Sequence, residues 1–85
     1  MINSRRARLT VYSRAWCHLC DALLAALAPI CEEFDADLEV IEVDARPELE
    51  EVHGERLPVV FGGANELCHH FLDTPAVRAY LLNFR

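Results

Sequence analysis

The residues best suited to chemistry are Cys17 and Cys20, two positions apart in the stretch SRAWCHLC. A pair at this spacing can bind a metal, close a structural disulfide or exchange disulfides with a substrate. Beside it stand Arg14, Trp16, His18 and Leu19. A protonated His18 would favour thiolate at the neighbouring sulfurs; the plain alternative is an exposed ring that tunes little. Trp16 fits either a substrate contact or ordinary core packing. A second group, Cys68, His69 and His70, is metal-capable by residue type. If those three lie on a strand, His69 and His70 point to opposite faces, which argues against a shared ion. A zinc module joining them to Cys17 and Cys20 is therefore a secondary reading, and no metal ligand is assigned.

The elements around the pair decide among these chemistries. RLTVYS, Arg8 to Ser13, alternates and is β-branched, which predicts a strand. Beyond the motif, Cys20, Leu23, Leu24, Leu27, Cys31 and Phe34 recur at three- and four-residue steps and predict an amphipathic helix. Pro29 should kink that helix or end it early. Cys17 thus falls where a strand ends and a helix begins, beside free backbone N–H groups that stabilise a thiolate. This favours thiol–disulfide exchange. Cys20 starts the apolar stripe and faces inward, whereas Cys17 lies at the helix mouth. Cys17 is therefore assigned as the attacking nucleophile and Cys20 as the resolving thiol. Cys31 lies about 16 Å further along the same helix, out of disulfide reach, and reads as a small buried apolar residue.

A second strand is predicted over Leu38–Val43. A short helix from Pro47 should stop near Gly54, and a third strand spans Leu57–Phe61. A turn over Gly62–Asn65 leads to a return strand, Glu66–Phe71. The last helix is capped by Asp73 or Thr74 and turns Val77, Tyr80, Leu81 and Phe84 inward. The expected fold is α/β, a four-stranded mixed sheet made of a βαβ unit plus a hairpin, with helices on both faces.

With 85 residues, 53% of them hydrophobic, the chain reads as a single domain over 1–85, with residues 1–7 as a flexible basic arm. The net charge of −6 argues against nucleic-acid binding. No apolar run approaches the ~20 residues that span a bilayer, and no signal-peptide core is evident. A cytoplasmic location is the expectation, and there four cysteines favour catalysis or metal over a disulfide framework.

VYSRAWCHLC, RLPVVF and the Gly-Gly turn resemble the glutaredoxin branch of the thioredoxin fold. VDARPEL and HGERLPVVF are similar to the small bacterial glutaredoxin-like proteins. The resemblance implies a protein disulfide oxidoreductase acting in cell redox homeostasis. It also implies a cis Pro58 packed against the site, with the Leu57 backbone offered to an extended substrate. It places Arg14 where a glutathione carboxylate would be met, and Asp73 and Thr74 where the tripeptide's other end would lie. For the latter two, ordinary helix capping is the plain alternative. Glutaredoxins usually carry proline and tyrosine between the cysteines; here the pair is His18-Leu19. No cofactor is expected, and glutathione stands as a candidate cosubstrate. The expected partner is a disulfide-bearing protein or a low-molecular-weight thiol, and a monomer is expected. An iron–sulfur carrier and a noncatalytic adaptor of the same fold remain alternatives.

Overall fold

The computed structural model describes residues 6–84. Eight elements follow one another: β1 (Arg8–Ser13), α1 (His18–Phe34), β2 (Asp37–Glu42), α2 (Pro47–His53), a 3-10 turn (Gly54–Arg56), β3 (Val59–Gly62), β4 (Asn65–His69) and α3 (Thr74–Asn83). They form one sheet in the order β2-β1-β3-β4. β1 and β2 are parallel, and β1–β3 and β3–β4 are antiparallel.

Strand alternation divides the core. Leu9 and Val11 of β1 point to one face, where they meet Leu23, Leu27 and Cys31 of α1 and Val77 and Leu81 of α3. Tyr12 points to the other face and packs with Leu49 of α2, Phe61 and Val59. That second cluster also contains Cys17 and Cys20, so the motif sits over the sheet's end, where β1 gives way to α1.

Pro29 does not end α1, which continues to Phe34. A proline there leaves the carbonyl four residues earlier without its helical donor. Ala25 and Pro29 both lie on the exposed side of α1, where water can take that carbonyl. Burial of Leu27 and Cys31 on the opposite side offsets the loss. The helix closes on Asp35 in the left-handed region at φ 55°. Ala36 N–H then donates to Cys31 O at 2.9 Å and Asp35 N–H to Glu32 O at 3.2 Å, which satisfies two terminal carbonyls.

β3 begins two residues later than expected, at Val59, after the Leu57–Pro58 peptide, which is cis. Gly63 (φ 61°) and Ala64 form the two-residue turn from Gly62 to Asn65. Phe61 pairs with Glu66 but Val60 with Cys68, so Leu67 is an extra residue that bulges β4. Of the expected basic arm, residues 1–5 lie outside the described residues. Arg6 pairs with Asp37 at 3.0 Å and Asp35 at 3.2 Å, and Ala7 is buried in the core. Among the described residues, no helix is long and apolar enough to cross a membrane.

Candidate active site

Cys17 is the N-cap of α1. Its backbone is extended (φ −114°, ψ 107°), while its carbonyl already accepts from Asp21 N–H at 3.0 Å. Its sulfur takes the role that serine or aspartate usually plays in a cap, accepting from Cys20 N–H at 3.1 Å. Cys17 and Cys20 are joined as a disulfide, with Cα atoms 5.2 Å apart. Cys20 is fully buried against Val43, Leu57 and Val59, whereas Cys17 is half-buried. The inward and outward assignment made from the helical stripe matches this geometry.

Trp16 is not a core residue. It has φ 62° and is 98% exposed, so its indole stands in solvent next to Cys17. His18 and Leu19 are exposed on the first turn of α1. Leu57 is buried beside Cys20, and Pro58 is fully buried. The Pro58 carbonyl accepts from His70 N–H at 2.8 Å, which ties the loop after β4 to the loop before β3.

Arg14 turns toward carboxylates of the chain itself. It contacts Asp44 at 3.5 Å and forms a close hydrogen-bonded ion pair with Glu50. The bond to Glu50, more than any other factor, raises the guanidinium's affinity for its proton. Asp44 also accepts from Ala15 N–H at 3.1 Å and so holds the loop that carries Trp16. Asp44 and Glu50 went unnoticed as site residues in the sequence. Their signal is the parallel register: Ser13 pairs with Glu42, so the segments following β1 and β2 must emerge side by side.

At the start of α3, Asp73 rather than Thr74 is the cap, its carboxylate accepting from Ala76 N–H at 3.1 Å. Asp73 and Thr74 line an open cleft of about 660 Å³ with Cys68, His69, Phe71 and Leu72; Cys17 and Cys20 are not among its lining residues. Burial, above all, pushes the Cys68 thiol up, and burial alone does the same to Cys31.

The histidine pair departs from the strand argument. The rings of His69 and His70 lie 5.0 Å apart, edge to face. His70 is past the end of β4 and adopts φ 66°, which breaks the alternation that would have separated them. Each ring is already engaged, His69 with Glu66 at 2.8 Å and His70 with the Glu55 carbonyl at 3.1 Å. Among the described residues, no group of three or more His, Cys, Asp or Glu side chains is arranged to hold a metal ion.

His53 is a further residue that the sequence did not single out. It is 8% exposed and stacks on Tyr12 at 4.2 Å, with Phe61 edge-on at 5.7 Å. Its Nδ1 is buried without a hydrogen-bond partner, and burial, aided by nearby Arg56, lowers its affinity for a proton.

A four-stranded mixed sheet with α1 and α3 on one face, α2 on the other, and a cysteine disulfide at the mouth of α1 defines an α/β protein of thioredoxin fold. A thioredoxin from Thermosipho africanus TCF52B shares that fold, with a TM-score of 0.61 at 21% identity, covering 88% of this chain and 94% of that one. Residues 8–82 match the family described as Glutaredoxin-like domain (DUF836), and the chain belongs to that family. Protein Ne2328 from Nitrosomonas europaea is similar at 37% identity and a TM-score of 0.80, covering 94% of this chain and 98% of that one. A protein from X. campestris is similar at 33% identity and a TM-score of 0.70, covering 91% and 99%. No curated protein matches the chain. Family, fold and the Cys17–Cys20 disulfide together support a redox-type function.

Proposed function

We propose that the protein is a thiol–disulfide oxidoreductase in which Cys17 attacks and Cys20 resolves. The observation that carries this reading is the cap. Cys17 sulfur accepts the Cys20 N–H at the positive end of a 17-residue helix, an environment that favours a thiolate over a thiol.

In the reduced protein, Cys17 thiolate attacks one sulfur of a substrate disulfide. A bond forms between Cys17 Sγ and that sulfur, the substrate S–S bond breaks, and the other substrate sulfur leaves as a thiolate that takes a proton from water. Cys20 then loses its proton to water and attacks Cys17 Sγ. The mixed disulfide breaks, the first substrate sulfur departs as a thiolate and is protonated, and the Cys17–Cys20 disulfide remains. Two electrons pass from the dithiol to the substrate, and an external thiol reductant restores the dithiol. The buried setting of Cys20 keeps other disulfides from reaching it, so the attacking role falls to Cys17.

The test is a pair of variants. Cys17→Ser should lose reduction of a small disulfide, whereas Cys20→Ser should accumulate a mixed disulfide on Cys17 that intact-mass measurement detects. Full activity in Cys17→Ser would overturn the assignment. Capture from cell extract with Cys20→Ser then identifies what Cys17 holds.

A further inference from the structure

We infer that this site recognises a positively charged, apolar polypeptide segment surrounding a cysteine, and that it rejects glutathione and other anionic thiols. The inference rests on the redox reading above and names the class of substrate.

Both positions at which the family resemblance would place the ends of glutathione carry carboxylates of the protein. Arg14 is engaged by Asp44 and Glu50. An incoming anion would have to displace a Glu50 ion pair and meet Asp44 at the same place. At α3, the Asp73 carboxylate already accepts the Ala76 N–H, so negative charge stands where an anion would need free donors. Arg56, near the loop before Pro58, pairs with Glu66, which also holds His69. Each local cation therefore has its own counter-charge, and Arg14 has two. Glutathione, with two carboxylates and one ammonium, would approach against the field of a chain whose net charge is −6.

The same surroundings suit a cationic chain. Trp16 (98% exposed), Phe71 (69%) and Leu19 (42%) are large apolar side chains that stand in solvent. Trp16 and Leu19 flank Cys17 in sequence, and Phe71 follows His70, whose N–H donates to Pro58 O. Exposed aromatic residues of this kind, set among carboxylates, offer anchoring area to apolar side chains. Asp44 and Glu50 outnumber the one Arg14 between them, and Asp73 forms no ion pair among the described residues, so a net negative charge is left to attract and orient Lys or Arg in the same segment.

Trp16 is the only tryptophan, so its emission reports docking directly. The test uses the oxidised full chain and three probes that undergo no exchange. They are a short peptide with Ser in place of a central Cys between Leu and Arg residues, the same peptide with Glu for Arg, and S-methylglutathione. The cationic peptide should shift Trp16 emission to the blue at a midpoint about tenfold below that of the Glu peptide. That gap should narrow between about 20 mM and about 500 mM salt. S-methylglutathione should leave the emission unchanged. Phe71→Ala should raise the cationic midpoint several-fold. Asp44→Asn with Glu50→Gln frees Arg14, keeps an acceptor for Ala15 N–H, and should make S-methylglutathione binding appear. Equal midpoints for the two peptides, no shift with the cationic peptide, or a shift by S-methylglutathione on the unmodified chain would each overturn the inference. Because no probe reacts, the outcome is separate from the oxidoreductase reading. A chain that docks the cationic peptide but reduces no disulfide would sink that reading alone.

Discussion

Cys20 and Cys31 lie on the same stripe of α1, three turns apart, and both are buried, at 0% and 6% exposure. Burial therefore does not distinguish them. What separates the two ends of the helix is the backbone. At the N-terminus Cys20 donates its N–H to the sulfur of Cys17 and is joined to that second cysteine, whose Cα is 5.2 Å away. Three turns on, Cys31 meets only packed side chains, and its free thiol is pushed toward the protonated state by desolvation. Cys68 on β4 shares that fate, its thiol also raised chiefly by burial. Along one helix, position relative to the first-turn amides separates a cysteine joined in a disulfide from a free, buried one.

The sharpest way to break this comparison is to exchange the roles. Cys17→Ser should drop disulfide reduction to background, a loss of roughly a thousandfold or more, while Cys31→Ala stays within about twofold of the parent. Steady-state reduction of a small disulfide reads both. A second test is reactivity. In the reduced folded chain, iodoacetamide should label Cys17 first, with Cys31 and Cys68 slower by roughly a hundredfold at neutral pH. Their labelling should rise only as pH climbs above the ordinary thiol range, and unfolding in urea should erase the difference. Peptide mass mapping against time measures the order, and equally fast Cys68 labelling would break the contrast.

Stability against pH sharpens the comparison by adding His53. Burial lowers its proton affinity, so the unfolded chain binds the proton more readily than the folded one. Stability is then full above the ordinary histidine value near 6.5 and declines as pH falls below it. The raised thiols act in the opposite direction: the folded chain holds their protons longer, and stability declines as pH rises above the ordinary thiol range. His53→Phe keeps the stack on Tyr12 and removes the unpartnered Nδ1. It should flatten the acid side and add about 1 kcal/mol in urea titrations near pH 5. Cys31→Ala, which deletes one buried sulfur, should cost a similar amount, about 1 kcal/mol, in the same titrations.

The elements were legible because their signals are local. The period of Cys20, Leu23, Leu27 and Cys31 needs only neighbouring turns, and α1 buries those four residues. The alternation in RLTVYS likewise placed β1 at Arg8–Ser13. Expectations failed where a local rule met a tertiary circumstance. The early end of α1 that Pro29 offered as one of two outcomes did not occur, because the carbonyl it orphans lies on the exposed side of the helix. His69 and His70 came together because the chain leaves β4 through a left-handed residue. Trp16 fitted core or surface equally well until its backbone placed it in solvent.

The sequence by itself determined the cysteine pair, its place at a strand-to-helix junction, and which cysteine faces inward. All three depend on residues within a few positions of one another, so helical and strand periodicity suffice. Only the tertiary structure decided which carboxylates Arg14 meets. Asp44 and Glu50 stand 30 and more residues from Arg14 in the chain and reach it because β1 and β2 pair in parallel register. Charge pairing at that separation is a property of the sheet, because the field around the dithiol is set by which strand ends the fold brings together.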